Sequence, residues 1–280
     1  MRNLIVTADD FGAAREVNEA VETCHRDGIL TAASLMVAAP FATDAVARAR
    51  ALPSLRVGLH LVLVEGRPIL PPAAVPDLVD KAGHFRTDMA RAGAAMFFRP
   101  TVRRQLAEEI AAQFEAFRAT GLALDHVNAH KHFHLHPTIA ALMLAIGRDF
   151  GVRAMRVPLE PRAVLARIEP VPRAPAAALT APFARALRRR ARRAGIGVPD
   201  QVFGLSWSGR MTAPRLKGLA ENLPPGLSEI YLHPAAAAYP GSAPGYAYAG
   251  ERAALLDPAV IAATKGRDIR LGGFCDFPVD

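Results

Sequence analysis

Short apolar runs alternate with stretches of helical periodicity along the whole chain. Residues 4–8 form the first β-rich run. Beyond a turn at Phe11 and Gly12, apolar Val17, Ala20, Val21 and Cys24 recur at helical spacing, and Gly28 caps that helix. The same alternation predicts a strand over 30–37, a helix over 42–52 and a strand over 57–61. A Pro/Gly-rich loop covers about 65–85, and 101–119 is the clearest amphipathic helix, with Leu106, Ile110, Phe114 and Phe117 on one face. A strand over 124–129 runs into a histidine-rich stretch, and Pro137 opens a further helix at a favoured first-turn position. Later β-like runs are 154–157, 202–205, 229–232 and 269–273.

About seven short strands separated by helices predict parallel βα units, and their continuous apolar character predicts burial on both faces. The expected fold is α/β: a single-domain, distorted (β/α) TIM-like barrel over residues 1–280. An open doubly wound sheet is the rival, but the first turn lacks the Gly-rich dinucleotide fingerprint. One stretch breaks the rhythm. Residues 158–199 are rich in Pro, Ala and Arg, with a helix expected near 183–194, and read as an insertion or lid on the barrel.

Composition narrows the class. The chain has 280 residues, 51% hydrophobic and 21% charged, enough for one large core. Two cysteines, Cys24 and Cys275, have no paired spacing that suggests a disulfide framework or zinc knuckle. No signal-peptide pattern or membrane-length apolar run is visible, so a cytoplasmic protein is expected. Net charge is 34 − 26 = +8. Arg185, Arg188, Arg189, Arg190, Arg192 and Arg193 lie in one short helical stretch. Arg188, Arg189 and Arg192 are candidates for contact with an anionic membrane, peripherally at the inner surface; a solvated face is the plainer account. No aromatic platform or recognition motif accompanies the charge, so nucleic acid is not an expected partner. The oligomeric state, a homo-oligomer included, is left open.

Residues at strand C-terminal ends face the active site of a βα barrel. Asp9 and Asp10 follow the first strand, His60 ends the third, His130 ends the strand begun at 124, and His233 ends the run 229–232. Five of the chain's nine histidines fall between His126 and His136, at every second position except 128. In an extended segment that period puts side chains on one face, an arrangement suited to metal or catalytic use. A mixed carboxylate and imidazole set suits Zn²⁺ or another divalent ion.

The segments Thr7-Ala8-Asp9-Asp10-Phe11-Gly12, Gly58-Leu59-His60-Leu61, Asp125-His126-Val127-Asn128-Ala129-His130 and Leu232-His233-Pro234 closely resemble YdjC-like carbohydrate deacetylases, in order and separation. The resemblance implies a distorted barrel and one divalent ion, Zn or Mg, held by Asp10, His60 and His130. It implies Asp9 as general base and, by analogy with other sugar deacetylases, His233 as general acid. Asp125, His132 and His134 are candidates for orienting these groups from behind. The implied reaction is hydrolysis of the N-acetyl group of an N-acetylglucosamine-type sugar. The stretches 15–20 and 58–66 look closer still to a hopanoid-biosynthesis-associated branch, which implies a glycolipid substrate. Rival readings are a deacetylase of chitooligosaccharide or another soluble acetylated sugar, another barrel metallohydrolase, a histidine-rich metal-binding protein, and an arginine-driven lipid- or nucleic-acid-binding module.

Overall fold

The computed structural model of the chain describes residues 1–171, 175–265 and 268–277, with backbone alone for 175–178. Seven strands carry the architecture: β1 (Arg2–Phe11), β2 (Ala32–Leu35), β3 (Arg56–Leu61), β4 (Val127–Ala129), β5 (Gln201–Phe203), β6 (Gly226–Leu232) and β7 (Ile269–Leu271). They pair in the order β4-β3-β2-β1-β6-β5, with β7 beside the start of β1, and every pairing is parallel. Parallel neighbours need crossovers on the outside, and the helices Arg15–Asp27, Ala42–Arg50, Pro100–Ala119, Pro137–Asp149 and Ala213–Glu221 supply them.

The run 154–157 is too short for a ladder of its own, yet it closes the gap between β4 and β5. Val127 N–H donates to Ala154, Arg156 N–H to Val127, Met155 N–H to Gly197 and Val202 N–H to Leu159. The sheet therefore curls on itself as a distorted (β/α) barrel, as the alternation predicts. The strand interiors are almost wholly buried: Leu4, Ile5, Val6 and Ala8 in β1, and Val57, Leu59 and Leu61 in β3.

Three differences from the expected elements bear on function. Strand β1 runs on through Phe11, so Asp9 and Asp10 lie within it. A helix over Met89–Phe98, capped by the Asp88 carboxylate on Arg91 N–H, fills a stretch with no expected element. The Pro/Gly-rich loop is ordered by a polar stripe at i, i+4 and i+8 on the helix Pro100–Ala119. Gln105 accepts from Asp77 N–H, Glu109 from Ile69 and Leu70 N–H, and Gln113 from Val62 N–H.

The stretch 158–199 holds the helices Arg162–Leu165 and Pro175–Arg193, and its residues 172–174 lie outside the described ones. The longer helix occupies the crossover between the 154–157 segment and β5, with Ala184, Leu187 and Ala191 buried.

Gly58, in β3, is required for space. A Cβ there would sit 2.5 Å from three atoms of the His126 ring. Gly58→Ala is expected to cost about 1–3 kcal/mol through overpacking, read as a lower urea midpoint with an unchanged slope.

Candidate active site and metal centre

Consecutive strand residues ordinarily point to opposite faces. Asp10 has φ +63°, a left-handed conformation that Asp tolerates better than most residues, and the β1/β2 register shifts between Ala8 and Phe11. This kink turns both Asp9 and Asp10 toward the rim at the C-terminal ends of the strands. Gly12, with φ +96° and its N–H on the Asn18 side chain, completes the turn.

Asp10, His60 and His130 come together there. One donor atom from each lies within 4.8 Å of the other two. His60 Nε2 is 3.4 Å and His130 Nδ1 3.1 Å from the same oxygen, Asp10 Oδ1. Burial works against charge on Asp10, but His130 and His60 hold its carboxyl well below the usual carboxylate range. His60 is buried, whereas the His130 side chain keeps 19% exposure, so the cluster is open on one side. A carboxylate and two imidazoles, open to one side, fit a divalent first-row ion with room for further ligands.

Behind this cluster lies an ion-pair network centred on Arg156, which is fully buried. Its guanidinium grips Asp9 with two bonds, Nη1 to Oδ2 at 2.6 Å and Nη2 to Oδ1 at 3.0 Å. On the other side Nε and Nη2 donate to Glu229 Oε1 at 2.9 and 2.6 Å, and Thr7 Oγ1 donates to the same oxygen. The Arg156 guanidinium also lies over the Tyr231 ring, 4.4 Å from its centroid. Burial alone would raise the Asp9 carboxyl; Arg156 and His60 outweigh it and hold Asp9 far below the usual range. Neither Arg156 nor Glu229 was singled out from sequence. The available signal was a charge inside each of two otherwise apolar strand runs.

The histidine run does not stay extended. Residues His130–Leu135 form a 3₁₀ turn in which Lys131 and His132 have φ +53° and +54°. Alternation therefore holds for 126, 128 and 130 and then ends, and His130 alone of the run joins the cluster. His132 Nε2 meets the Tyr231 hydroxyl at 2.9 Å, and His134 Nε2 meets the Arg156 carbonyl at 3.1 Å. Burial, reinforced by Arg156, lowers His132 and pushes His134 down to about 3, so both are neutral.

His233 follows β6 on the same rim. Its ring centroid lies 5.8 Å from that of Tyr231 and 5.2 Å from that of Tyr246. Its buried Nδ1 has no hydrogen-bond partner among the described residues, and its backbone N–H donates to Glu251. All four tyrosines of the chain fall between Tyr231 and Tyr248, a clustering that could have marked this wall from sequence. Between the loops after β2 and β3, a cleft of about 340 Å³ is lined by Ala38, Pro40, Glu65, Gly66, Arg67 and Phe85. Glu65 is ion-paired to Lys131, the residue after His130.

Two residues of the arginine-rich helix are engaged by Asp200. Arg192 Nη2 bonds Asp200 Oδ1 at 2.9 Å, and Arg188 Nη1 bonds the Asp200 carbonyl at 3.3 Å. Asp200 also accepts from Leu227 N–H at the start of β6, the barrel end opposite Asp10, His60 and His130. Several large apolar side chains are exposed elsewhere on the surface. Phe97 and Phe98 are 45% and 76% exposed, and Leu179 and Phe183, in the first half of the helix Pro175–Arg193, are 73% and 48% exposed.

The model of the YdjC-like protein family matches residues 3–265. The chain belongs to that family. Among relatives of this YdjC-like protein, a carbohydrate deacetylase of Geobacillus stearothermophilus is 29% identical, over 99% of this chain and 98% of that protein. A carbohydrate deacetylase of Brevibacillus brevis is 38% identical over 149 residues, 53% of this chain and 57% of the relative, so the match spans little more than half of that protein. In structure, the YdjC-like protein is similar to an Enterococcus faecalis V583 protein provisionally assigned to cellobiose-phosphate cleavage. That likeness has a TM-score of 0.76 at 23% identity over 98% of both chains, and it bears on fold alone.

Proposed function

We propose that this YdjC-like protein is a metal-dependent carbohydrate deacetylase that hydrolyses the N-acetyl group of an N-acetylglucosamine-type sugar, releasing acetate and a free amine. The observation that carries this reading is the convergence of Asp10, His60 and His130 beside a second carboxylate, Asp9, on one open rim. The full-length match to a carbohydrate deacetylase supports it. Two imidazoles and one carboxylate suit Zn²⁺ or a similar ion better than Mg²⁺, which prefers oxygen ligands. Such an ion, once bound, acts as a Lewis acid toward the acetyl carbonyl and acidifies water.

The remaining work falls to side chains. Asp9 takes the proton of the attacking water, and Arg156 fixes the orientation of both its oxygens. His233, on the same rim beside Tyr231 and Tyr246, is the proposed donor to the departing nitrogen. The tyrosine wall and the cleft by Glu65 flank the sugar on either side.

The proposed substrate is a glycolipid, with a hopanoid as aglycone. The exposed Phe97, Phe98, Leu179 and Phe183 support this, because large exposed apolar side chains suit a lipid surface. Arg91 and Arg103 lie close to these phenylalanines in sequence, with Arg99 paired to Asp77 and Arg104 to Glu108, and add positive charge that suits an anionic leaflet. No described helix is long and apolar enough to cross a membrane, so the proposed contact is peripheral. The test supplies N-acetylglucosaminyl hopanoid in anionic vesicles and, separately, diacetylchitobiose, and measures acetate and free amine. Faster release from the glycolipid is expected, lowered at least several-fold in F97S/F98S with chitobiose turnover unchanged. Release from chitobiose alone would overturn the glycolipid assignment, and release from neither would overturn the deacetylase.

A further inference from the structure

Beneath the metal cluster a chain of polar side chains crosses the barrel interior, every member buried: Asp125, His126, Ser34, Asn128 and His60. Asp125 is anchored by two backbone donors, Phe274 N–H to Oδ2 and Cys275 N–H to Oδ1, both at 3.0 Å. Its Oδ2 lies 3.0 Å from His126 Nδ1, and His126 Nε2 lies 3.0 Å from Ser34 Oγ. Asn128 Nδ2 is 2.9 Å from Ser34 Oγ, and Asn128 Oδ1 is 2.6 Å from His60 Nδ1. The His126 ring is fixed in place, stacked on Phe274 at 4.2 Å and passing close over Gly58.

The donors and acceptors in this chain have a direction. An ionised carboxylate can only accept, so a singly protonated His126 carries its proton on Nδ1 and accepts at Nε2. Ser34 must then donate to His126, which leaves its oxygen to accept from the Asn128 amide nitrogen. The amide oxygen is thereby turned to His60, where it can accept only if His60 is protonated on Nδ1. We infer that Asp125, His126, Ser34 and Asn128 form a relay that holds His60 as its Nδ1–H tautomer and keeps Nε2 free to ligate. The inference rests on the metal-centre reading for its purpose, though not for its geometry. These four are positioning residues, acting on the ion through His60.

A competitor exists. With the Asn128 amide turned round, its oxygen would accept from Ser34 and from Arg156 Nη1, both at 2.9 Å, and its nitrogen would donate to His60 Nδ1. That arrangement puts the proton of His60 on Nε2 and blocks ligation. It also makes Ser34 donate to Asn128, so that His126 would need a proton on both nitrogens. The relay and Arg156 thus pull the same amide in opposite senses, and the tautomer of His60 reports which one prevails.

The test is ¹⁵N–¹H correlation NMR on metal-free protein labelled at histidine, with the His60 signals assigned from H60Q. The expected result is the Nδ1–H tautomer in the wild-type chain. S34A and D125N should move it toward Nε2–H and weaken Zn²⁺ affinity by about 10–100-fold, and S34T, which keeps the hydroxyl, should restore both. His60 protonated on Nε2 in the folded wild-type protein would overturn the relay, whatever the variants do. So would wild-type tautomer and affinity in a folded D125N. Absent acetate release with His60 protonated on Nδ1 would count against the deacetylase alone.

Discussion

Replacing Asp10 by Asn, or His60 or His130 by Ala, is expected to abolish both metal binding and acetate release, whereas Asp9→Asn should keep the metal and lose about 10²–10⁴ of turnover. The split follows from geometry. The donor atoms of Asp10, His60 and His130 already share one small volume, so removing any one leaves two ligands for an ion that needs at least three from the protein. Asp9 faces the same rim, but its two oxygens are engaged by Arg156. Its loss therefore removes a proton acceptor and leaves the cluster intact. His233→Ala belongs with Asp9→Asn, because His233 lies outside the cluster. Metal content by elemental analysis, measured beside acetate release, separates the two groups. Full occupancy in the ligand variants would contradict the assignment.

Arg156→Met should be the most destabilising single change near the site, by about 3–5 kcal/mol, since it strands Asp9 and Glu229 as buried carboxylates without their cation. Its pH dependence should also reverse in sign. In the wild-type protein the folded-state pKa of Asp9 is depressed. That pair therefore stabilises the fold fully above the unfolded carboxylate pKa of about 4, and the contribution is lost as pH falls toward the folded value. Without Arg156, burial raises the Asp9 carboxyl instead, so stability is retained in acid and lost as pH rises above about 4. Urea midpoints from about pH 2 to pH 7 would reveal the opposite slopes, a wild-type rise confined to below about pH 4 and a fall in the variant between about pH 4 and pH 7. A variant that still gains stability with pH across that range would show that something other than Arg156 neutralises the two carboxylates.

Much of this was legible in the residues. The alternation of apolar runs and helical spacing yields the parallel barrel, and the rule that strand ends build the site brings Asp9, Asp10, His60, His130 and His233 to one rim. What sequence patterning missed has physical causes. Period two in the histidine run presumes an extended chain, and the left-handed Lys131 and His132 end it. Arg156 and Glu229 are far apart in sequence, and only the closure of the sheet makes them partners. The helix Met89–Phe98 hides in an Ala/Gly-containing stretch whose exposed Phe97 and Phe98 blur any amphipathic pattern. Sequence offers a solvated face and a lipid contact for the arginine cluster, and only the fold shows Arg188 and Arg192 bonded to Asp200.

The central claim is that one ion at Asp10, His60 and His130 enables deacetylation. Its most direct test strips the purified protein with chelator, returns Zn²⁺ in sub-stoichiometric steps, and measures acetate at each step. The account predicts almost no acetate from stripped protein and a linear rise that ends at one ion per chain. Full-rate release from the stripped protein would contradict it.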